Sequence, residues 1–233
     1  MRIEYWMSTL LSQAAIIPLI AWWARSRAGL SMAWVWRLSL LLAGWLLLAV
    51  GLAQSGVFLP APGRPPMIGL AVFTPIVLGL LMLRGVRAPE AALALLMGLQ
   101  VMRIEGFEFV IAGWQGVLPG QFAYPAGWGD ALIGVTAPLV AIMALRRASG
   151  WRTVALLWNC AGILDLVDAV FLGVTSSPGP LQLFAGEPTT ALMTQLPLSL
   201  IPTFGVPLAV LGHIVALQGL RASRPYPNRA VAA

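Results

Sequence analysis

Lysine is absent from this chain. All 14 basic residues among its 233 are arginines. No side chain can therefore form the Schiff base that retinal requires, which excludes a rhodopsin-like photoreceptor. One cysteine, Cys160, leaves no partner for an intrachain disulfide and no cysteine metal cluster. One histidine, His213, argues against multi-histidine zinc, paired-haem or di-iron sites. No cofactor and no metal are expected. Charge is scarce as well: 9% of residues are Asp, Glu, Lys or Arg, against roughly 25% in soluble domains.

What fills the space is apolar. The chain is 59% hydrophobic, with a mean hydropathy of +0.87. A soluble fold of this length could not hide that much apolar surface, so the expected solvent is lipid. The first apolar run is read as a retained helix rather than a signal peptide. Glu4 sits where a basic n-region would be, Arg25 and Arg27 follow the run instead of preceding it, and no small-residue cleavage site closes it.

Seven apolar segments are placed at 6–24, 38–57, 67–83, 91–112, 128–145, 153–174 and 195–217. The predicted fold is an all-α integral membrane protein of seven transmembrane helices, N-terminus outside and C-terminus cytoplasmic. Residues 1–220 form the single transmembrane domain and residues 221–233 a disordered cytoplasmic tail. With seven spans, Arg25, Arg27, Arg37, Arg84, Arg87, Arg146, Arg147, Arg152, Arg221, Arg224 and Arg229 all fall on one side, while Arg2 and Arg64 fall on the other. The positive-inside rule sets the orientation from that asymmetry. It points to a multi-pass protein of a bacterial-type plasma (inner) membrane. In such a protein the net charge of +6 reports orientation, and no nucleic-acid partner is expected. Tryptophans 22, 23, 34, 36 and 151 then fall near the inner interface.

Prolines 18, 75, 138 and 207 punctuate the four odd-numbered spans at intervals of 57, 63 and 69 residues. Each frees a backbone carbonyl that a neighbour must satisfy. The spacing suits duplicated helical hairpins, and equally the general frequency of proline in membrane helices. The seventh span carries Pro197, Pro202 and Pro207 and is the one expected to bend or break.

The stretch RIEGFE, residues 103–108, places an arginine and two glutamates inside the fourth span, where charge is expensive and marks function. Counting ~1.5 Å per residue, Arg103 and Asp165 share a depth of ~18 Å from the inner edge, with Glu105 and Asp168 at ~21–23 Å and Glu108 and Asp130 at ~26 Å. Arg103 lies two residues from Glu105, on a different side of the helix, so its expected partner is Asp165. Five carboxylates around one guanidinium call for protonation, water or a cation. The expected site is an outward-opening acidic pocket between the fourth, fifth and sixth spans. It is built from Arg103, Glu105, Glu108, Asp130, Asp165 and Asp168, supported by Asn159, Trp158, Gln13 and Ser199. The plainer alternative is a packing ion pair that holds helices together.

GWGD at 127–130 matches the GxGD pattern of intramembrane aspartyl proteases. The second aspartate on a preceding helix is missing, however, and so is a later PAL motif. His213 is placed near the inner end of the last span, ~15 Å in depth from Arg103, as a packing histidine. The leading functional expectation is binding or transport of a cation, proton or small polar solute. The alternatives are a membrane enzyme using carboxylate acid and base on a lipid-like substrate, and a structural subunit of a larger membrane complex or homo-oligomer.

Overall fold

The computed structural model describes residues 3–61, 63–84 and 88–222. Among them every regular element is helical and there is no strand. The α-helices are α1 (Ile3–Ser26), α2 (Met32–Gln54), α3 (Met67–Met82), α4 (Glu90–Gly98), α5 (Gly106–Trp114), α6 (Gly120–Leu145), α7 (Trp151–Thr175) and α8 (Val206–Ala222). A 3-10 stretch, Leu99–Glu105, joins α4 to α5, and a π-helical turn, Ile201–Gly205, leads into α8. Arg2, Arg87, Arg224, Arg229 and all of the expected tail beyond residue 222 lie outside the described residues. Arg221 and Ala222 are the last residues of α8.

Four stretches are long and apolar enough to cross a membrane: Met32–Gln54, Gly120–Leu145, Trp151–Thr175 and Ile201–Ala222. Met67–Met82 is apolar but only 16 residues long. The segment expected as a fourth span is divided into α4, the 3-10 stretch and α5, and the division falls on the residues that carry charge. Length and composition alone therefore single out four candidate spans among the described residues. An exterior of Leu40, Leu47, Leu132, Leu139, Leu157, Leu164 and Val167, each more than half exposed, is what an apolar solvent demands.

Local sequence explains the element ends. Ser31 caps α2 by accepting from the Trp34 N–H at 3.4 Å. Prolines 66, 89 and 119 stand immediately before α3, α4 and α6, where a missing N–H is harmless. Gly150 takes φ +73° between α6 and α7, a backbone conformation that glycine alone adopts without cost.

The fifth predicted segment, 128–145, begins eight residues too late, since α6 starts at Gly120. Residues 120–127 fall between the fourth and fifth predicted segments, and their glycines and proline suggest a loop. Those glycines are instead packing positions. Gly127 and Gly106 face each other so closely that a Cβ on either would stand within 2.6–2.7 Å of the other's carbonyl oxygen. Small residues let membrane helices approach in this way.

Pro207 removes the N–H that would close the Thr203 carbonyl into α8. The Trp45 indole of α2 takes its place, donating to the Thr203 oxygen at 2.8 Å. That is the compensation by a neighbouring helix which a mid-span proline requires.

Two apolar cores are separated along the bundle. One gathers Trp23, Leu93, Met97, Trp151, Ala155, Ala216 and Leu220. The other gathers Phe109, Phe122, Ala126, Met193 and Leu198. Trp23 and Trp151, expected at a membrane interface, belong to the first core, and Trp23 donates to the Ala92 carbonyl at 2.9 Å. Each element contributing to both cores has its polar residues between the two contributions: Gln100 and Arg103 between Met97 and Phe109, Asp130 between Ala126 and Val140, and Asn159 and Asp165 between Ala155 and Ala169. A polar layer therefore runs through the middle of the bundle.

Candidate functional site

The 3-10 winding prepares the layer. Seven residues is long for a 3-10 segment, and with 3.0 residues per turn the side chains at i and i+3 line up. Gln100, Arg103 and Gly106 form such a row, and all three are buried. Arg103, 8% exposed, spends its donors in four directions. Its Nε donates to Asp130 Oδ1 of α6 at 2.6 Å. One Nη2 hydrogen goes to Asp165 Oδ2 of α7. Nη1 donates to the Gly162 carbonyl of α7 at 3.2 Å and faces His213 Nε2 of α8 at 3.1 Å.

These contacts decide the state of the histidine. Arginine can only donate, so His213 Nε2 must be an acceptor. The proton then sits on Nδ1, which is 2.8 Å from Asn159 Oδ1. Asn159 is oriented in turn, because its Nδ2 donates to the Ala155 carbonyl at 2.7 Å and its oxygen is left to accept. His213 is thus a neutral imidazole with the Nδ1–H tautomer. The Trp158 ring packs edge-on against it, centroids 5.4 Å apart, and the Trp158 indole is held by Thr136 Oγ1 at 2.9 Å.

Glycines make room for the cluster. A Cβ on Gly162 would collide with the His213 ring and lie 3.2 Å from Arg103 Nη1, and one on Gly129 would occupy the position of the Asp165 carboxylate. The GWGD stretch therefore serves the arginine. Gly127 packs α6 on α5, Gly129 seats Asp165, and Asp130 holds Arg103.

The expected site residues are only partly gathered. Arg103 does bond to Asp165, and Asp130 joins them as an equal partner instead of standing with the glutamates near the outer surface. The reason is that α6 begins ten residues before Asp130, which places that carboxylate ~15 Å from the helix start. Glu105 is half-buried one row away and lines the cavity that adjoins the cluster, while the Ser12 hydroxyl of α1 donates to the Thr9 carbonyl at 2.9 Å. Glu108 turns to a separate small recess formed with Ala112, Gln115, Leu118 and Leu198. Asp168 is exposed on the outer face of α7, one turn beyond Asp165. Asn159 and Trp158 support His213. Ser199 is fully buried, with no hydrogen-bond partner for its hydroxyl among the described residues.

His213 was misplaced by the sequence reading. It is fully buried and touches Arg103, not ~15 Å away. The last helix starts at Val206 after the π turn and continues to Ala222, so its eighth residue sits mid-helix. A usable signal was present: Ala209, His213, Ala216 and Leu220 recur at helical spacing on one face. Gln100 was also missed. It is 6% exposed, and its Nε2 donates to the Ala209 carbonyl at 3.1 Å.

A cavity of ≈ 120 Å³ adjoins the cluster, lined by α1, the 3-10 stretch and the start of α8, with Asp130 and Leu166 closing it from α6 and α7. It is not the expected space between the fourth, fifth and sixth spans. Its polar lining consists of Gln13, Gln100, Arg103, Glu105 and Asp130, and the remainder is predominantly aliphatic. Gln13 is 5% exposed, and its Oε1 has no hydrogen-bond partner among the described residues. Among those residues no three His, Cys, Asp or Glu side chains converge to hold a metal ion.

Comparison with known families finds one model, described as Domain of unknown function (DUF8737), matching residues 80–221. That span contains every member of the Arg103 cluster and leaves out α1, with Gln13. No curated protein and no solved structure matches the chain.

Proposed function

The chain belongs to the DUF8737 family, and we propose that it is a polytopic membrane protein binding or transporting a cation, a proton or a small polar solute at the cavity beside Arg103. The observation that carries this reading is an imbalance of acceptors over donors. Asp130 and Asp165 already present two carboxylates to one guanidinium, Glu105 brings a third carboxylate to the cavity, and Gln13 adds an unpartnered oxygen there. Arg103 has already directed its donors at Asp130, Asp165, Gly162 and His213. An apolar medium does not tolerate unbalanced negative charge, so the cavity calls for a ligand that brings positive charge or a proton.

The same reading gives the protein seven passes in a bacterial-type plasma (inner) membrane, with α4, the 3-10 stretch and α5 together making the fourth. Arg25, Arg27, Arg37, Arg84, Arg146, Arg147, Arg152 and Arg221 then share the cytoplasmic side. A broken span whose break carries the functional charges is familiar in transporters. The lipid-enzyme alternative fits less well, because two of the carboxylates it would use as acid and base are committed to Arg103.

Uptake of radiolabelled guanidinium and radiolabelled sodium into proteoliposomes tests the reading. Saturable uptake of at least one of them is expected with the wild-type chain and is lost in Glu105→Gln. Uptake no greater than in protein-free liposomes, and identical in Glu105→Gln, would overturn it.

A further inference from the structure

We infer that the ligand of this cavity is a primary alkylammonium of about six heavy atoms, and that Gln13 selects its N–H-bearing head over a bare metal cation. The inference rests on the cation-binding reading above and narrows it to a substrate class.

The first observation is Gln13 itself. Its side chain is 95% buried, lines the cavity, and holds an oxygen that nothing in the described structure satisfies. Its location is built: a Cβ on Gly205 would come within 2.9 Å of that oxygen, so the π turn presents a glycine where the amide must fit. Gln100 occupies a matching notch one heptad along, where a Cβ on Gly212 would come within 2.9 Å of its Nε2. Gln100 Nε2 has a carbonyl to donate to, whereas Gln13 Oε1 has no donor to accept from among the described residues. A buried acceptor without a donor is costly unless a ligand provides one.

The second observation is the company Gln13 keeps. Glu105 and Asp130 line the same cavity. An ammonium group has three donors to place, and Gln13, Glu105 and Asp130 are three acceptors of suitable kind. Hard metal cations ask for more: calcium takes six to eight oxygens, and magnesium near-octahedral geometry. Apart from Gln100, the remaining lining, including Ile16, Leu19, Leu96, Leu99 and Leu208, offers no side-chain oxygen.

The third observation is that apolar lining together with the volume. An aliphatic wall suits an alkyl chain and not a hydrated ion. A cavity of ≈ 120 Å³ is somewhat smaller than the ~150 Å³ apolar cavity that accommodates benzene, which sets the ligand at about six heavy atoms.

The test uses the full chain in nanodiscs, with binding read by calorimetry and by thermal unfolding. n-Pentylammonium chloride is compared with tetramethylammonium chloride, sodium chloride and 1-pentanol. Pentylammonium is expected to bind and to raise the unfolding temperature, with the other three much weaker. Gln13→Leu is expected to weaken pentylammonium binding about tenfold or more, the loss of one hydrogen bond to a charged donor. The same variant is expected to unfold at a higher temperature than wild type without ligand, because it removes an unsatisfied buried acceptor. That second readout shows that the variant is folded. Sodium or tetramethylammonium binding as well as pentylammonium, with Gln13→Leu unchanged, would overturn the inference and leave cation binding intact. Equal binding of 1-pentanol would overturn it by showing an apolar site indifferent to charge. No binding of any cation, with Glu105→Gln indistinguishable from wild type, would remove the underlying reading as well.

Discussion

Replacing Asp165 with asparagine takes one negative charge from the Arg103 cluster and keeps an oxygen to accept from Nη2. Arg103 with Asp130 and Asp165 is one positive charge against two negative ones, at side-chain exposures of 7%, 14% and 15%. The single change leaves a neutral pair, Arg103–Asp130. Its cost is the difference between a charge-assisted and a neutral hydrogen bond, about 1 kcal/mol. Asp130→Asn is the mirror case and costs about the same. The double variant is different in kind, because it buries a guanidinium among neutral partners only. Stripping a buried ion of its counter-charge costs about 3–5 kcal/mol. The two substitutions are therefore strongly non-additive, with a coupling of about 1–3 kcal/mol beyond their sum. At roughly 2–4 °C per kcal/mol for a chain of this size, the singles fall by about 2–4 °C and the double by about 6–20 °C. Tryptophan fluorescence during thermal unfolding in detergent reads this directly, with ten tryptophans as reporters. A double variant whose loss equals the sum of the singles within about 0.5 kcal/mol would show that the two carboxylates do not share Arg103, and the cluster as described would be wrong.

Gly162→Ala drives a methyl group into the His213 ring and toward Arg103 Nη1, and should cost about 1–3 kcal/mol by overpacking. Gly44→Ala, in a helix position with nothing within 4 Å, should be neutral or stabilising by up to about 1 kcal/mol. The pair, compared by thermal unfolding, separates close approach from helix propensity. Trp45→Phe keeps an aromatic ring, though a smaller one, and strips the Thr203 carbonyl of its donor. It should cost about 1–3 kcal/mol and, because that carbonyl is the one Pro207 orphans, should raise hydrogen exchange around residues 201–207 more than elsewhere.

Much of this was legible before any coordinates. Composition points to lipid as the solvent, and depth counting along two helices is enough to bring Arg103 to Asp165. The errors share one cause, which is that glycine and proline were read as punctuation. Gly120, Pro125 and Gly127 look like loop chemistry, so α6 began too late and Asp130 was left near the outer surface. Yet Ala123, Gly127, Ala131, Gly134, Ala137, Ala141 and Ala144 form a small-residue stripe at helical spacing, and all are buried. In a membrane, where helices associate by close approach instead of by hydrophobic burial, such a stripe announces a helix more firmly than glycine denies one. The last helix failed in the opposite way. Three prolines predicted a break, but not that its cost would move the helix start to Val206 and place His213 mid-span.

The two kinds of position meet in the polar layer. Arg103 is reached by Asp130 from α6, by Asp165 and Gly162 from α7, and by His213 from α8, while its own segment is wound as a 3-10 helix. A guanidinium with this many fixed neighbours cannot move without breaking several hydrogen bonds at once, so it is poorly suited to carry a travelling charge. Glu105 and Gln13 are held less tightly. The carboxyl group of Glu105 is half-buried, and Gln13 Oε1 has no partner among the described residues. Arg103 and its two aspartates are therefore a fixed scaffold within the layer, and the unpartnered acceptor Gln13 Oε1 lies on the α1 side. The glycines that admit the scaffold, 129 and 162, are confined to α6 and α7, whereas the glycine that admits Gln13 lies in the π turn.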